Sequence, residues 1–333
     1  MRAVCIHEFG GPEQLQVEDV PDPHPGPGEL LVGLSAVGVN RVDVLVRSGR
    51  YHRAGQPPLV LGVEGAGTVR AVGDGVTDFV VGDRVVAMGE TNRPGFYASL
   101  AVIPATRAVR VPDTVDLPSA AALPTAWLSA WYCLRRLADL RPNETLLVNA
   151  AASGVGSAAV QIAVDAGATV IATAGSPEKA SWVETLGAQH VLDSSVTGSA
   201  ALLDAVAELT EGRGVNVAFD IVGGQGFADS LKDIGYAGRV LSMANVALAP
   251  STIDTRDFYP KNVRIFGFQI TALLEHGYDP RPDLTELMDR IAACAFTVPI
   301  DATFPLDRAA DAHRHLERRA NRGKVLLTID GDG

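Results

Sequence analysis

Three cysteines in 333 residues, Cys5, Cys133 and Cys294, are too few and too far apart to build a disulfide framework or a cysteine-rich zinc knuckle. A reducing compartment, the cytoplasm, is the expected location. Basic charge is also scarce: 28 Lys and Arg stand against 39 Asp and Glu, giving a net charge of −11 with no basic cluster. That balance excludes phosphate-backbone binding as the main activity. Long apolar runs are missing too. The most apolar stretch, SAAALPTAWLSAWYCL at 119–134, is interrupted by Pro124 and is too short to span a bilayer, and the opening MRAVCIHEFG lacks a signal peptide's apolar core. Neither nucleic acid nor membrane insertion is expected, which leaves a small molecule as the partner.

What is present is glycine (34), proline (20) and a 47% hydrophobic content, the make-up of an ordinary soluble enzyme. A chain of 333 residues exceeds the usual single-domain size, so two domains with separate cores are expected. Residues 1–115 read as strands and turns: PDPHPGPGELLVGL, VEGAGTVRAVG and VVGDRVVAMG are apolar runs punctuated by Gly, Pro and Asp. From about 143 the pattern changes. TLLVNA (145–150), ATVIATAG (168–175), NVAFDIVG (216–223), GRVLSMA (238–244) and NVRIFGF (262–268) read as buried strands, with helices such as 154–166, 177–187 and 200–211 between them. Such alternation implies βαβ units and a parallel sheet. Two further helical patterns, near 282–295 and 306–319, precede a strand-like KVLLTI at 324–329.

VNAAASGVGSAAV, from Val148 to Val160, follows the first of these strands and opens a helix, where free N–H groups and the positive end of the helix dipole can face a pyrophosphate. Ala151, Ser153 and Gly156 occupy the fingerprint's small positions, with Gly154 added, so Ser153, Gly154, Val155 and Gly156 are candidate cofactor contacts. An NAD site places an acid about 20 residues further on to hold the ribose 2′-hydroxyl. Here the second strand ends in ATAGSPEKA, where Gly175 and Ser176 leave room for a 2′-phosphate and Lys179 supplies charge. Glu178 is close as well and suits a helix's first turn. The missing acid favours NADPH over NADH.

Taken in order, PGPGELLV, GVNRVDVLVRSGRY (38–51), GVEGAG, VVGDRV, AAASGVG, LGAQHVLD (186–193), FDIVGG (219–224) and RGKVLL (322–327) resemble the medium-chain dehydrogenase/reductase superfamily. Within it they resemble the zinc-independent quinone oxidoreductase group that includes zeta-crystallin, over nearly the full length. The resemblance implies an α/β fold: a GroES-like, mostly β substrate domain at 1–124 and 271–333, and a Rossmann, doubly wound NADPH-binding domain at 125–270, with the cleft between them. It implies a homodimer joined through the apolar edge strand at 262–270. It also adds Asn40, Ser129, Asn245, Phe268 and Arg319 to the cofactor contacts.

In zinc-dependent members of the superfamily the catalytic metal is held at positions matching the segment Asn40–Asp43, Val63 and the region near Ala121. A catalytic zinc needs three donors and an open position, and Asn40, Val63 and a run of alanines cannot provide them. The structural zinc lobe of those relatives needs four cysteines after about residue 90, where AMGETNRPGFYASL has none. Glu64, the acid beside Val63, reads as a satisfied, partly buried structural carboxylate rather than a base.

Without a metal, hydrogen-bond donors must stabilise the oxyanion that forms as hydride arrives. The resemblance assigns this to Asn40 and Tyr51, the catalytic candidates, with Asn245 approaching from the cofactor side. Asn40 has a second reading as a helix N-cap and Tyr51 as a loop cap. Asp43 fixes the local loop, and His52 reads as an exposed loop histidine. Leu45 stands where some quinone reductases of the group carry a second tyrosine. The pocket is correspondingly more apolar, and quinones, α,β-unsaturated ketones, aldehydes and acyl thioesters all fit it. Two alternatives to a quinone or enone reductase remain open: an enoyl-thioester reductase, and a dinucleotide-binding protein with a structural or regulatory role.

Overall fold

The computed structural model describes all residues except Asn92, Pro94, Val196, Thr197 and 330–333. Asn92 and Pro94, within the segment compared with the zinc lobe, and the last residues of the expected return segment therefore lie outside the described residues. The chain divides into two compact units, Met1–Leu128 with Thr271–Gly333, and Ser129–Ile270. The first crossing falls after Leu128 rather than after residue 124. The reason is local: the Thr125 N–H donates to Glu64, and the buried Trp127 packs its ring 5.3 Å from Phe296, so both belong to the first unit.

In the first unit, six strands run in the order Ile300–Pro305, Lys324–Thr328, Glu29–Val39, Glu64–Val72, Arg84–Met88 and Ala108–Arg110, and Leu100–Pro104 also pairs with Glu29–Val39. All pairs are antiparallel except the first. The C-terminal segment thus joins the N-terminal sheet as a full member. A smaller sheet is built from Gln16–Asp19, Arg2–Ile6 and Leu59–Val60. Val4, Ile6, Leu30, Val37, Val69, Val85 and Leu327 share one core.

The second unit is an α/β Rossmann fold. Its six strands, all parallel, are ordered His190–Asp193, Thr169–Ala174, Thr145–Val148, Val215–Asp220, Ile234–Ser242 and Arg264–Gly267. In chain order this is 3-2-1-4-5-6, with the reversal beside Thr145–Val148, where such sheets bind ligands. The β-branched runs read from the sequence all form strands. His190–Asp193 was legible only as part of a family motif, because four half-exposed residues show no clear period. The crossover helices are Gly154–Asp165, Pro177–Thr185, Ser199–Leu209 and Gln225–Asp233, packing on a core of Leu147, Ile171, Val215, Leu231 and Val240. Among the described residues, no helix is long and apolar enough to cross a membrane.

One ion pair ties Glu144, the residue before the Thr145–Val148 strand, to the Ile234–Ser242 strand. Arg239, buried, donates from Nη2 to Glu144 Oε1 at 2.6 Å. Removing one partner of a buried pair strands the other charge in a poor solvent, whereas removing both does not. Glu144→Ala should therefore destabilise the protein by about 3–5 kcal/mol, and adding Arg239→Met should recover most of the loss. Thermal unfolding of the two variants against wild type checks this. Equal loss in the single and double variants would contradict it.

Candidate active site

Antiparallel register brings together three side chains that are remote in sequence. Glu29–Val39 pairs on one side with Lys324–Thr328, Val39 opposite Val325, and on the other with Glu64–Val72, Val37 opposite Gly65. Asn40, one residue beyond the central strand, meets Lys324 from one neighbour and Glu64 from the other. Glu64 is 0% exposed and Lys324 3%. Lys324 Nζ donates to Glu64 Oε1 at 2.6 Å and to Asn40 Oδ1 at 2.7 Å. Asn40 Nδ2 donates to Glu64 Oε1 at 2.7 Å, and the Thr125 N–H donates to Glu64 Oε2 at 2.6 Å. Gly38 makes the approach possible, since a Cβ there would lie 2.0 Å from Glu64 Oε1. Glu64 is thus a paired carboxylate, wholly rather than partly buried.

These neighbours also decide which way the Asn40 amide faces. An ammonium only donates, so it meets Oδ1; a carboxylate only accepts, so it meets Nδ2. The nearest further acceptor of Nδ2 is the Gly38 carbonyl at 3.4 Å. The donor side of Asn40 is therefore turned into the protein, against the expectation that it donates to a substrate oxyanion. Asn40 is also the N-cap of Arg41–Arg47, in a capping box: its side chain faces the Asp43 backbone N–H, and Asp43 Oδ2 accepts from the Asn40 N–H at 2.8 Å.

A second buried chain starts at Asp43. Arg47 Nη1 lies 3.2 Å from His313 Nδ1, Tyr97 Oη 2.9 Å from His313 Nε2, and the Tyr97 hydroxyl donates to Asp43 Oδ2 at 3.4 Å. A guanidinium cannot accept, so Nδ1 carries the lone pair, Nε2–H donates to Tyr97, and the tyrosine proton is left for Asp43. Arg47 is itself held by Glu317 at 2.6 Å and by the Gly10 carbonyl. Sequence reasoning missed Lys324, Tyr97, His313 and Arg47 as members of a site; Lys324 in RGKVLL and Arg47 in GVNRVDVLVRSGRY stand in family motifs but were given no role.

Tyr51 is half-buried and packs against the first unit's core, its ring 5.1 Å from the exposed His52. Among the described residues, no group of three His, Cys, Asp or Glu is arranged to hold a metal ion. Thr125, also missed, has a buried Oγ1 with no hydrogen-bond partner.

In the second unit the candidate loops leave one edge, because parallel strands end together. Ser153 is the N-cap of Gly154–Asp165 and its Oγ accepts from the Gly156 N–H at 3.0 Å. The N–H groups of Gly154 and Val155, in the first turn, have no carbonyl one turn back. Gly156 is required by packing: a Cβ would sit 2.5 Å from the Ala150 carbonyl oxygen. The next loop is tied to this one by Ala151 N–H donating to the Thr173 carbonyl at 2.9 Å. At its tip a Cβ on Gly175 would touch nothing within 4 Å, and Ser176 caps Pro177–Thr185 by accepting from the Lys179 N–H at 3.3 Å. Lys179 is half-buried and Glu178 exposed. The Glu178 carboxyl is held below its ordinary value by its own backbone N–H and by the Ser176 hydroxyl. Asp193, at the end of the neighbouring strand, accepts from Ser195 N and Oγ at 2.8 and 2.6 Å.

Of the remaining candidates, Ser129 is buried, and Phe268 is buried with its ring 5.7 Å from Tyr132. Asn245 is exposed and uses its amide on its own loop, Nδ2 donating to the Ala249 carbonyl at 2.9 Å. Arg319 belongs to the first unit, one residue past the cap of Ala309–Glu317, with φ of 53°.

Comparison with known proteins agrees with this architecture. Residues 26–113 match the alcohol dehydrogenase GroES-like domain and residues 154–293 the zinc-binding dehydrogenase family. A quinone oxidoreductase of Pseudomonas aeruginosa is 35% identical over 96% of this chain and 97% of its own. A 2-haloacrylate reductase of Burkholderia sp. is 33% identical over 98% of both. Among solved structures, Escherichia coli quinone oxidoreductase complexed with NADPH superposes with a TM-score of 0.90 at 31% identity, over 98% of this chain and 100% of that one. An NAD-dependent alcohol dehydrogenase does so with 0.90 at 32%, over 99% and 100%.

The Asp43–His313 chain makes a prediction about pH. Burial first, then the nearby Glu64 charge, raises Asp43 from 3.8 to about 7; burial and the Arg47 charge push His313 from 6.5 down to about 3. The folded state holds the extra proton on Asp43 between pH 3.8 and about 7, which costs stability as pH rises. The unfolded state holds the extra proton on His313 between about 3 and 6.5, which costs stability as pH falls. The two slopes, each about 1.4 kcal/mol per pH unit, cancel between pH 4 and 6.5. Asp43→Asn should therefore lose stability towards acid relative to wild type, and His313→Gln should lose it towards neutral pH. Denaturant unfolding at pH 4.5, 5.5 and 6.5 reads this, and slopes of the same sign in the two variants would contradict it.

Proposed function

Because the chain belongs to the medium-chain dehydrogenase/reductase superfamily, in its zinc-independent quinone oxidoreductase group, we propose that this oxidoreductase uses NADPH to reduce a quinone or an α,β-unsaturated carbonyl. The observation that carries the cofactor reading is the tip of the Thr169–Ala174 strand. Gly175 and Ser176 stand where an NAD site needs an acid, and the two acids nearby, Glu178 and Asp193, already bind serine hydroxyls and backbone N–H groups. These existing bonds support the reading that neither acid is set to hold a ribose 2′-hydroxyl, and Lys179 would meet a phosphate.

The residues fit a dinucleotide. Gly154 and Val155 would offer free N–H groups to the pyrophosphate at the end of a 12-residue helix, with Ser153 and Gly156 shaping the turn. Gly175, Ser176 and Lys179 would hold the 2′-phosphate, with Arg319 a second cation, and Ser129, Asn245 and Phe268 would line the rest. The orphaned Thr125 Oγ1 is a further polar group awaiting a partner. When bound, NADPH supplies hydride. Tyr51, with a phenol O–H, would stabilise the oxyanion that results and would be its proton donor. The 2-haloacrylate of one relative's name is, like an enone, an activated alkene, which supports keeping that class beside quinones.

NADPH oxidation at 340 nm across a panel of quinones and enones should show turnover with at least one acceptor. No turnover with any of them contradicts the reading. Charge-assisted hydrogen bonds are worth about 1.5–3 kcal/mol, so Lys179→Ala should weaken NADPH about tenfold to a hundredfold and leave NADH nearly unchanged. The ratio of kcat/KM for the two cofactors, at fixed ionic strength, reads the effect. A wild type that prefers NADH contradicts it.

A homodimer is part of the same proposal. Arg264–Gly267 pairs only with Ile234–Ser242 among the described residues, and Ile265 on it is 42% exposed, with Tyr236 and Tyr259 exposed nearby. An unpaired apolar edge invites a second copy. Scattering at micromolar concentration should give twice the monomer mass for wild type and the monomer mass for Ile265→Lys. A monomeric wild type contradicts the dimer.

A further inference from the structure

We propose that a polar pocket of the first unit, beside the turn that carries Tyr51, is a subsite for a neutral, hydroxyl-bearing part of the electron acceptor. Arg53, Glu90, Thr91, Thr271 and Glu275 line it, and all belong to that unit. Its volume of about 250 Å³ falls below the roughly 300–1,000 Å³ of a complete small-molecule site. It therefore suits a substituent rather than a whole substrate. Three separate segments supply the walls. Tyr51 and Arg53 share a turn closed by the Ala54 N–H donating to the Tyr51 carbonyl at 3.1 Å. That turn is fastened to the segment after the Arg84–Met88 strand. The Thr91 hydroxyl donates to the Arg53 carbonyl at 3.2 Å, and the Gly55 N–H to the Thr91 carbonyl at 3.3 Å. Thr271 and Glu275, one helical turn apart in Ile270–Glu275, share a face of that helix.

The charges around this pocket cancel. Arg53 Nη2 donates to Glu275 Oε2, and Arg107 Nη1 lies 2.5 Å from Glu90 Oε1. The Arg53 hydrogen bond holds the Glu275 carboxyl below its ordinary value, so it is ionised at neutral pH. An anionic ligand would meet two carboxylates, and a cationic one two guanidinium groups. A neutral hydroxyl suits both, because it accepts from a guanidinium and donates to a carboxylate. Thr271 supplies the independent observation that points to a ligand. Its Oγ1 is buried and has no hydrogen-bond partner, a state that folded proteins rarely retain. A ligand hydroxyl can serve that oxygen as donor or as acceptor.

This inference takes from the reductase reading above only that the acceptor meets Tyr51. Menadione and its analogue hydroxylated on the methyl group differ by one hydroxyl, and the ratio of their kcat/KM values reads the subsite. Thr271→Val, which removes the orphaned hydroxyl and keeps the side chain's shape, should lower the ratio of hydroxylated to parent quinone about twofold to tenfold, the loss of one neutral hydrogen bond. Comparing this ratio between wild type and variant cancels the intrinsic reactivities of the two quinones. The variant's unfolding temperature should not fall, because the hydroxyl it loses has no partner. Arg53→Met with Glu275→Met, which removes both charges together, should lower the ratio as well. A ratio unchanged in both variants would overturn the inference.

A second readout needs no turnover. Hydroquinone, neutral and hydroxylated at both ends, should shift the Thr91 and Thr271 methyl NMR signals of the wild-type protein, assigned by their disappearance in Thr91→Val and Thr271→Val. Benzoate, of similar size but anionic, should shift neither. Hydroquinone that moves neither signal, or benzoate that moves both as far, would overturn the inference. A wild type that oxidises NADPH with no quinone or enone defeats the proposed reaction, and this titration still decides the role of the pocket.

Discussion

The ion pair between Glu64 and Lys324 is the constraint around which the first unit is arranged. Neither charge reaches solvent, so each must be compensated inside the protein. Glu64 receives three hydrogen bonds, from Lys324, Asn40 and the Thr125 backbone. This requirement explains features that otherwise look unrelated: a glycine at 38, the return of the C-terminal segment to the first sheet, and a backbone donor just before the chain leaves for the second unit. The positions that match the metal ligands of zinc-dependent relatives are held here by the Asn40–Asp43 segment, by Val63 and by the alanines near Ala121, with the pair packed beside them.

Asn40 connects this pair to a second buried group. Its side chain is held by Lys324 and Glu64, while its backbone N–H is held by Asp43, which leads through Tyr97 and His313 to Arg47. A single residue at the end of a strand thus has both its amide groups fixed from opposite directions. Preorganisation of this kind lowers what must be ordered when a ligand arrives. The second unit uses another strategy, leaving helix N–H groups uncommitted at Gly154 and Val155 and space over Gly175, so that the ligand completes the bonding.

Much of the fold was legible in the sequence because its signals are local. The β-branched runs at 145–150, 168–175 and 216–223 are short, buried and separated by helical stretches, and AAASGVG announces a tight strand-to-helix turn. The boundary after Leu128 was not legible, since it depends on Trp127 meeting Phe296 across 169 positions. The site was legible in part. GVNR and GVEG singled out Asn40 and Glu64, but the orientation of an amide is set by its partners, and Lys324 lies 260 residues from Glu64. Tyr97 and His313, 216 residues apart, carried no pattern at all. Asn245, expected to face the cofactor, spends its amide on its own loop for the same reason: hydrogen-bond partners are a property of the folded chain.

The central claim is that buried charges and hydrogen bonds, rather than a metal ion, organise this active site. It is tested most directly by elemental analysis of the purified protein joined to NADPH-oxidation assays before and after treatment with a strong chelator. Far less than one transition-metal ion per chain, and the same kcat with and without chelator, are expected. One zinc ion per chain, with activity lost on its removal and restored by its return, would contradict it.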